Sequence, residues 1–268
     1  MLVAVKIGGS TLRLGIPSSL AYDLKQTSAK DKVILIHGGG REVTEIATKL
    51  YREQKFVVSP GGFRSRYTDK ETAEIYTMVM SGRINKKLVL SLQSQGIAAV
   101  GLSGLDGLLI EAQRKKKLII VDERGRKRVI DGGYTGKISR VNAHLLELLV
   151  NNGYLPVVAP VAVSEEFEPL NVDADRAAAY VAGSSKADRL VLLTDVDGVT
   201  LDGTLVPRMS LLEAKDRLQG VGPGMITKIY AAMEAIEMGV SETIISSGFK
   251  EHPISSALTH ESGTVIVP

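Results

Sequence analysis

The chain has 268 residues, 44% of them hydrophobic, and a formal net charge of +3, which is enough apolar side chain for a large core and too mild a charge to mark a nucleic-acid binder. With no Cys and four scattered His, disulfides, thiolate metal sites and a His-based metal centre are excluded, and no protein-held metal is expected. No run approaches the ~20 apolar residues of a membrane span, and 4% aromatics leave no stacking platform for single strands, so the expected setting is cytoplasmic, with no membrane and no nucleic-acid partner.

In chain order, a strand at 2–7 precedes a helix at 18–30, a strand at 33–36, helices at 41–53 and 70–95, and a strand at 97–102. Residues 108–130 break the rhythm and read as a β-hairpin, 117–122 and 126–130 around a Glu-Arg-Gly turn. A helix at 141–152, a strand at 155–163, a helix at 174–182, a strand at 190–194, a helix at 225–238 and strands at 243–245 and 264–267 complete the chain. Most strands are apolar on both faces, as buried parallel strands are. The alternation predicts an α/β fold, a three-layer αβα sandwich with a largely parallel central sheet and a hairpin insertion. One domain over 1–268 is expected, with halves at about 1–170 and 171–268 sharing one sheet. The first strand begins at residue 2, so no leader segment is expected.

Ligands in such sheets bind at the carboxyl ends of the strands. The first strand ends in Lys6-Ile7-Gly8-Gly9-Ser10, the second in His37-Gly38-Gly39-Gly40. Adjacent glycines let backbone N–H groups approach an anion, and a following helix N-terminus adds a favourable dipole. Neither turn has the spacing of a P-loop or of a dinucleotide fingerprint. Gly222-Pro223-Gly224 opens another helix and is followed by Lys228, which opposes the dipole unless it faces a phosphate. Leu193-Thr194-Asp195-Val196-Asp197-Gly198 runs from a buried strand into an acidic turn, suited to ribose hydroxyls, Mg²⁺ waters or a lysine, or to an Asx turn alone. Asn171-Val172-Asp173-Ala174-Asp175 reads as an N-cap cluster. Arg66, in Arg66-Tyr67-Thr68-Asp69, could hold a carboxylate bidentately or simply lie at a helix entry. Read singly, Lys6 is more readily a snorkelling strand-end lysine, and Lys228 is equally a solvated one.

Together these segments, in this order over nearly the whole chain, resemble the amino acid kinase family, and within it the N-acetylglutamate kinase branch. The resemblance implies Lys6 and Lys228 as catalytic lysines oriented by Asp175. It places Gly38, Gly39, Gly40, Arg66 and Asn171 on the acceptor, and Gly8, Gly9, Asp195, Gly198, Gly222 and Gly224 on ATP. Mg²⁺ would ride on the nucleotide. Gly133-Tyr134-Thr135-Gly136-Lys137 departs from the branch's Gly-x-Val-Gly and is similar to a subgroup that acts on α-aminoadipate or glutamate attached to the small acidic carrier LysW; Gly101-Leu102-Ser103-Gly104-Leu105-Asp106-Gly107 looks like that subgroup as well. The implied activity is in-line phosphoryl transfer to an already ionised carboxylate, by positioning and charge stabilisation, in lysine or arginine biosynthesis. A homodimer is implied, without the N-terminal helix of arginine-inhibited hexamers. The alternatives are a free N-acetylglutamate kinase and a non-catalytic nucleotide-sensing protein of the same fold.

Charge counting points to the partner. Residues 111–140 hold ten Lys/Arg against four Asp/Glu, a net of +6 in a chain of net +3. An acidic carrier docking on this stretch would meet Arg126, Lys127 and Arg128, with Tyr134 and Lys137 beside them. The plain alternative is a solvated hairpin whose lysines guard an edge.

Overall fold

The computed structural model describes residues 1–218 and 221–268. The N-terminal half carries β1 (Leu2–Ile7), α1 (Ser18–Ser28), β2 (Lys32–His37), α2 (Gly40–Lys49), a hairpin of β3 (Phe56–Val58) and β4 (Arg64–Arg66), then α3 (Lys70–Thr77) and α4 (Asn85–Ser94). Next come β5 (Ala99–Ser103), β6 (Ile110–Arg114), β7 (Lys117–Val121), β8 (Lys127–Asp131), β9 (Gly136–Val141), α5 (Ala143–Asn151), β10 (Leu155–Ala159), β11 (Val161–Val163) and β12 (Pro169–Asn171). After α6 (Ala174–Ser184) follow β13 (Arg189–Thr194), the short pair β14 (Thr200–Leu201) and β15 (Thr204–Leu205), β16 (Arg208–Ser210), α7 (Leu211–Asp216), α8 (Pro223–Glu237), β17 (Glu242–Ser247), α9 (Ser255–Leu258) and β18 (Thr264–Val267).

An eight-stranded sheet in the order β16-β18-β17-β13-β1-β2-β10-β5 takes strands from both halves. Its pairings are parallel except β17–β18. Alternate side chains feed two cores. Leu190 and Leu192 join the layer of α5, α6 and α8, while Val191 and Leu193 join that of α1, α2 and the long 70–94 helical run. Full burial of each such side chain contributes roughly 1.5–3 kcal/mol. The three-layer αβα sandwich expected from the apolar runs is the observed architecture.

Several boundaries differ for local reasons. The apolar run 155–163 is two strands, because Pro160 has no N–H to continue a ladder; β11 leaves the main sheet for a four-stranded one of order β12-β11-β6-β9. The basic hairpin β7–β8 is set between β6 and β9, two strands that sequence patterning left unassigned. The long 70–95 helix is continuous but π-helical over Met78–Ile84. Asp69 caps it, accepting from Thr72 N–H at 2.9 Å; Asp173 caps α6 in the same way, accepting from Arg176 N–H at 2.9 Å.

Candidate active site

Strand register brings the turns together. Ile7 pairs with His37 on one side and Leu193 on the other, so Gly8-Gly9, Gly38-Gly39 and Thr194-Asp195 leave the sheet side by side. The two glycine turns touch. A Cβ on Gly9 would lie 2.8 Å from Gly39 N, and one on Gly38 would lie 2.9 Å from Gly9 N. The turns are not uniform donors: Gly8 N–H is spent on Leu193 O at 2.9 Å and Gly38 N–H on Ile7 O at 2.8 Å. Among the described residues the N–H groups of Gly9, Gly39 and Gly40 have no acceptor, at the open end of the β1 turn and the first turn of α2.

Lys6 turns toward the α6–α8 layer. Its ammonium lies 2.6 Å from one oxygen of Asp175, in the first turn of α6, while Lys228 of α8 donates to the other oxygen at 3.0 Å. The three side chains are 6%, 14% and 7% exposed for Lys6, Lys228 and Asp175. Burial opposes ionisation of Asp175, but Lys6 and then Lys228 outweigh it and hold its pKa at about 2. Burial draws Lys6 below the ordinary lysine value, against the pull of Asp175 and with the repulsion of Lys228. For Lys228 burial is overcome by Asp175, and its pKa rises. One carboxylate thus holds two ammonium groups at a fixed spacing. Because α8 begins at Pro223, Lys228 lies in its second turn rather than the first, as the expected start at 225 implied.

Arg66 is buried on β4. Its guanidinium donates to Gly40 O at 2.6 Å and Thr44 Oγ1 at 2.9 Å, also to Gln54, and stands 4.9 Å over the Phe56 ring. Asn171 ends β12 and donates to Thr68 Oγ1 at 2.9 Å. Lys6, Gly9, Gly38, Gly39, Gly40, Arg66, Asn171 and Asp175 all line one cleft of about 550 Å³. Lys228, Gly8, Asp195, Gly198, Gly222 and Gly224 do not line it, although Thr227 beside Lys228 does. Asp195 is exposed just beyond β13, accepting from Thr194 Oγ1 at 3.1 Å. Gly198 is a packing position, where a Cβ would meet Thr264 Oγ1 at 2.7 Å, whereas Gly222 and Gly224 face open space.

The basic hairpin forms a wall of this cleft: Leu118, Ile119 and Ile120 of β7 line it, as do Phe56 of the neighbouring β3 and Phe63. Its charges are partly paired within the hairpin. Arg126 lies 3.1 Å and Arg128 3.9 Å from Asp122, leaving both guanidiniums more than half exposed at 60% and 64%. Tyr134 is half-buried, stacked under Arg114 at 4.1 Å with its hydroxyl 3.4 Å from Glu168, while Lys137 on β9 is exposed. The 101–107 segment has a packing reason of its own, since a Cβ on Gly104 would lie 2.1 Å from Val161 O.

Sequence reading missed much of the wall. Phe56, Phe63 and Ser59 come from the β3–β4 hairpin, whose Pro60-Gly61-Gly62 turn was a legible hairpin signal. Tyr76, Lys115, Arg176 and Tyr230 carried no motif. Nor did Asn85, which fixes the His37 of the second glycine turn: His37 Nδ1–H donates to Gly38 O at 3.0 Å, and Asn85 Nδ2 donates to His37 Nε2 at 3.3 Å and to Val157 O at 2.8 Å. This pair ties the glycine turn to the sheet. Burial pushes His37 down to about 4 from 6.5, with Lys6 and Lys86 adding to it against the bond to Gly38. The folded pKa lies below the unfolded one, so the unfolded state binds more protons between them. Stability is complete above 6.5 and is expected to fall by about 3 kcal/mol as pH drops to about 4. Urea denaturation across that range checks this; His37→Asn should flatten the profile, and an unchanged slope in that variant would refute it.

Among the described residues no helix is long and apolar enough to cross a membrane, and no group of three or more His, Asp or Glu is placed to hold a metal ion.

A sheet whose glycine turns meet at its carboxyl edge, over two lysines sharing one buried aspartate, defines a class of small-molecule kinase. The amino acid kinase family model matches residues 1–247, and the chain belongs to that family. It is similar, at 55% identity over 99% of both chains, to a protein of Nitrosopumilus maritimus (strain SCM1) provisionally named LysW-aminoadipate/LysW-glutamate kinase. It is 45% identical, over 99% of both chains, to the LysW-aminoadipate/LysW-glutamate kinase of Saccharolobus islandicus (strain L.S.2.15 / Lassen #1). N-acetylglutamate synthase from Neisseria gonorrhoeae superposes with a TM-score of 0.80 at 24% identity, over all of this chain and 59% of that one. An isopentenyl phosphate kinase does so at 0.66 and 19% over the full length of both. These two show the shared fold alone.

Proposed function

We propose that the protein is an ATP-dependent kinase that phosphorylates the side-chain carboxylate of α-aminoadipate, glutamate or both, while their amino group is carried by a small acidic LysW-like protein. ATP, with Mg²⁺ carried on the nucleotide, is the phosphoryl donor. The observation that supports the carrier reading is the position of the basic hairpin. Its first strand, β7, lines the acceptor cleft, so a protein docked on the hairpin delivers a tethered amino acid beside Arg66 and the lysine pair. In this reading Arg66 and Asn171 hold the α-carboxylate side of the acceptor, and the N–H groups of Gly9, Gly39 and Gly40 receive phosphate oxygens. Lys6 and Lys228 neutralise charge that develops on the transferring group, and Asp175 keeps them spaced. Gly8, Asp195, Gly198, Gly222 and Gly224 serve the nucleotide side, and Arg126, Lys127, Arg128, Tyr134 and Lys137 the carrier. The reaction needs no general base, because the acceptor carboxylate is ionised at neutral pH. In this reading the chemistry belongs to lysine or arginine biosynthesis, and a cytoplasmic homodimer goes with it.

Phosphorylation assays with aminoadipate and glutamate, each free, N-acetylated and carrier-linked, test the proposal. Carrier-linked acceptors should be used with far higher kcat/KM, and comparable use of free N-acetylglutamate would overturn it. Reversing Arg126, Lys127 and Arg128 to Glu should slow carrier association by on the order of tenfold or more, with a wild-type on-rate that falls as salt rises. Unchanged association in stopped flow, with no salt dependence in the wild type, would reduce the hairpin to a solvated edge.

A further inference from the structure

Five cations line the acceptor cleft: Lys6, Arg64, Arg66, Lys115 and Arg176. Four are occupied. Lys6 holds Asp175, and Arg66 is bonded to Gly40, Thr44 and Gln54. Arg176 donates to Glu234 at 2.8 Å, with a second contact to the same carboxylate, and lies 5.4 Å over Tyr230. Arg64 is stacked on Phe56 at 4.1 Å. Lys115 is the exception: among the described residues it has neither an ion-pair partner nor an aromatic one. It sits in the turn that joins β6 to β7, at the root of the basic hairpin, its backbone N–H fixed on Thr135 O at 2.9 Å and its side chain half-buried. Burial draws its pKa below the ordinary lysine value, Arg176 and Lys137 add repulsion, and Asp173 opposes them. A half-sunk cation among like charges is stabilised by any anion that reaches it.

An acceptor amino acid with its nitrogen acylated brings two carboxylates. One reacts at the lysine pair, and the other belongs to Arg66. With the phosphates of the nucleotide assigned to the lysine pair and the glycine N–H groups, a further anion at Lys115, at the root of the hairpin that the carrier meets in this reading, comes from the group on the nitrogen. We infer that Lys115 binds a carboxylate on that nitrogen-linked group, the part of the acceptor that the carrier contributes. This deepens the function proposed above and rests on its N-linked acceptor.

Two small probes separate the charge from the carrier surface: N-succinyl-α-aminoadipate, with the extra carboxylate, and N-butyryl-α-aminoadipate, without it. The wild type should favour the succinyl probe by tenfold or more in kcat/KM and in calorimetric affinity. In Lys115→Met that ratio should fall to near one, while Lys115→Arg keeps most of it. With the carrier-linked acceptor, Lys115→Met should raise KM more than it lowers kcat. Equal treatment of the probes by the wild type, or a preference that survives in Lys115→Met, overturns the inference. A wild type inactive on carrier-linked acceptors refutes the function itself, whereas an active wild type indifferent to position 115 refutes only this subsite.

Discussion

Replacing Lys228 by alanine is expected to lower kcat on the order of 10²–10³-fold, with a much smaller rise in KM for ATP, and Lys6→Ala is expected to do the same. The reason is the shared carboxylate. Asp175 Oδ1 and Oδ2 lie 2.6 Å and 3.0 Å from the two ammonium groups, so in the resting protein each lysine is already neutralised on one side. Of the two, Lys6 lines the cleft, and the pair together keeps a net positive charge around one carboxylate, which counts most when negative charge spreads over a transferring phosphoryl group. Either single variant leaves Asp175 paired with the remaining lysine, so folding should survive. Asp175→Ala differs, since it leaves two buried cations facing one vacated position. Breaking a buried ion network in this way costs about 3–5 kcal/mol. Steady-state kinetics on variants with a near-native thermal midpoint provide the check. A kcat close to wild type in Lys6→Ala or Lys228→Ala would remove that lysine from the phosphoryl clamp.

Gly9→Ala is expected to be nearly as damaging to activity, for a steric reason. The added methyl would lie 2.8 Å from Gly39 N and 3.0 Å from Gly39 Cα, and both are backbone atoms that cannot swing aside. The two turns must part by several tenths of an ångström, which misplaces the Gly39 and Gly40 N–H groups relative to Lys6. Overpacking of this kind costs roughly 1–3 kcal/mol in stability, and small misplacement at a reacting centre can cost on the order of 10²-fold in rate. Gly39→Ala is the instructive contrast. Its methyl meets Ile84 Cδ1 at 2.2 Å and Met80 Sδ at 3.0 Å, side-chain tips that can rotate away, so a milder loss is expected. Parallel kcat/KM and urea-denaturation measurements on the pair would show the order, and a Gly9→Ala enzyme more active than Gly39→Ala would contradict it.

The main strands and most of the long helices were legible because each is a local pattern. Val191, Leu192 and Leu193 are apolar on both faces whatever surrounds them, and Asp69 and Asp173 announce their helices by capping chemistry three residues long. The glycine turns and both lysines stood out for the same reason, since residue type and spacing are written in a few consecutive positions. The sharing of Asp175 is not of that kind. Lys6, Asp175 and Lys228 are far apart in the chain, and only the parallel register of β1 with β13, together with the packing of α6 on α8, lays them against one another. The split of residues 155–163 at Pro160 was visible as a residue but not as a change of sheet, because which ladder a strand joins depends on partners elsewhere. Likewise composition alone made residues 111–140 strongly basic. That β7, through Leu118 to Ile120, walls the cleft, and that Lys115 has no ion-pair partner there among the described residues, depends on which distant segments fold within reach, and that is a property of tertiary packing alone.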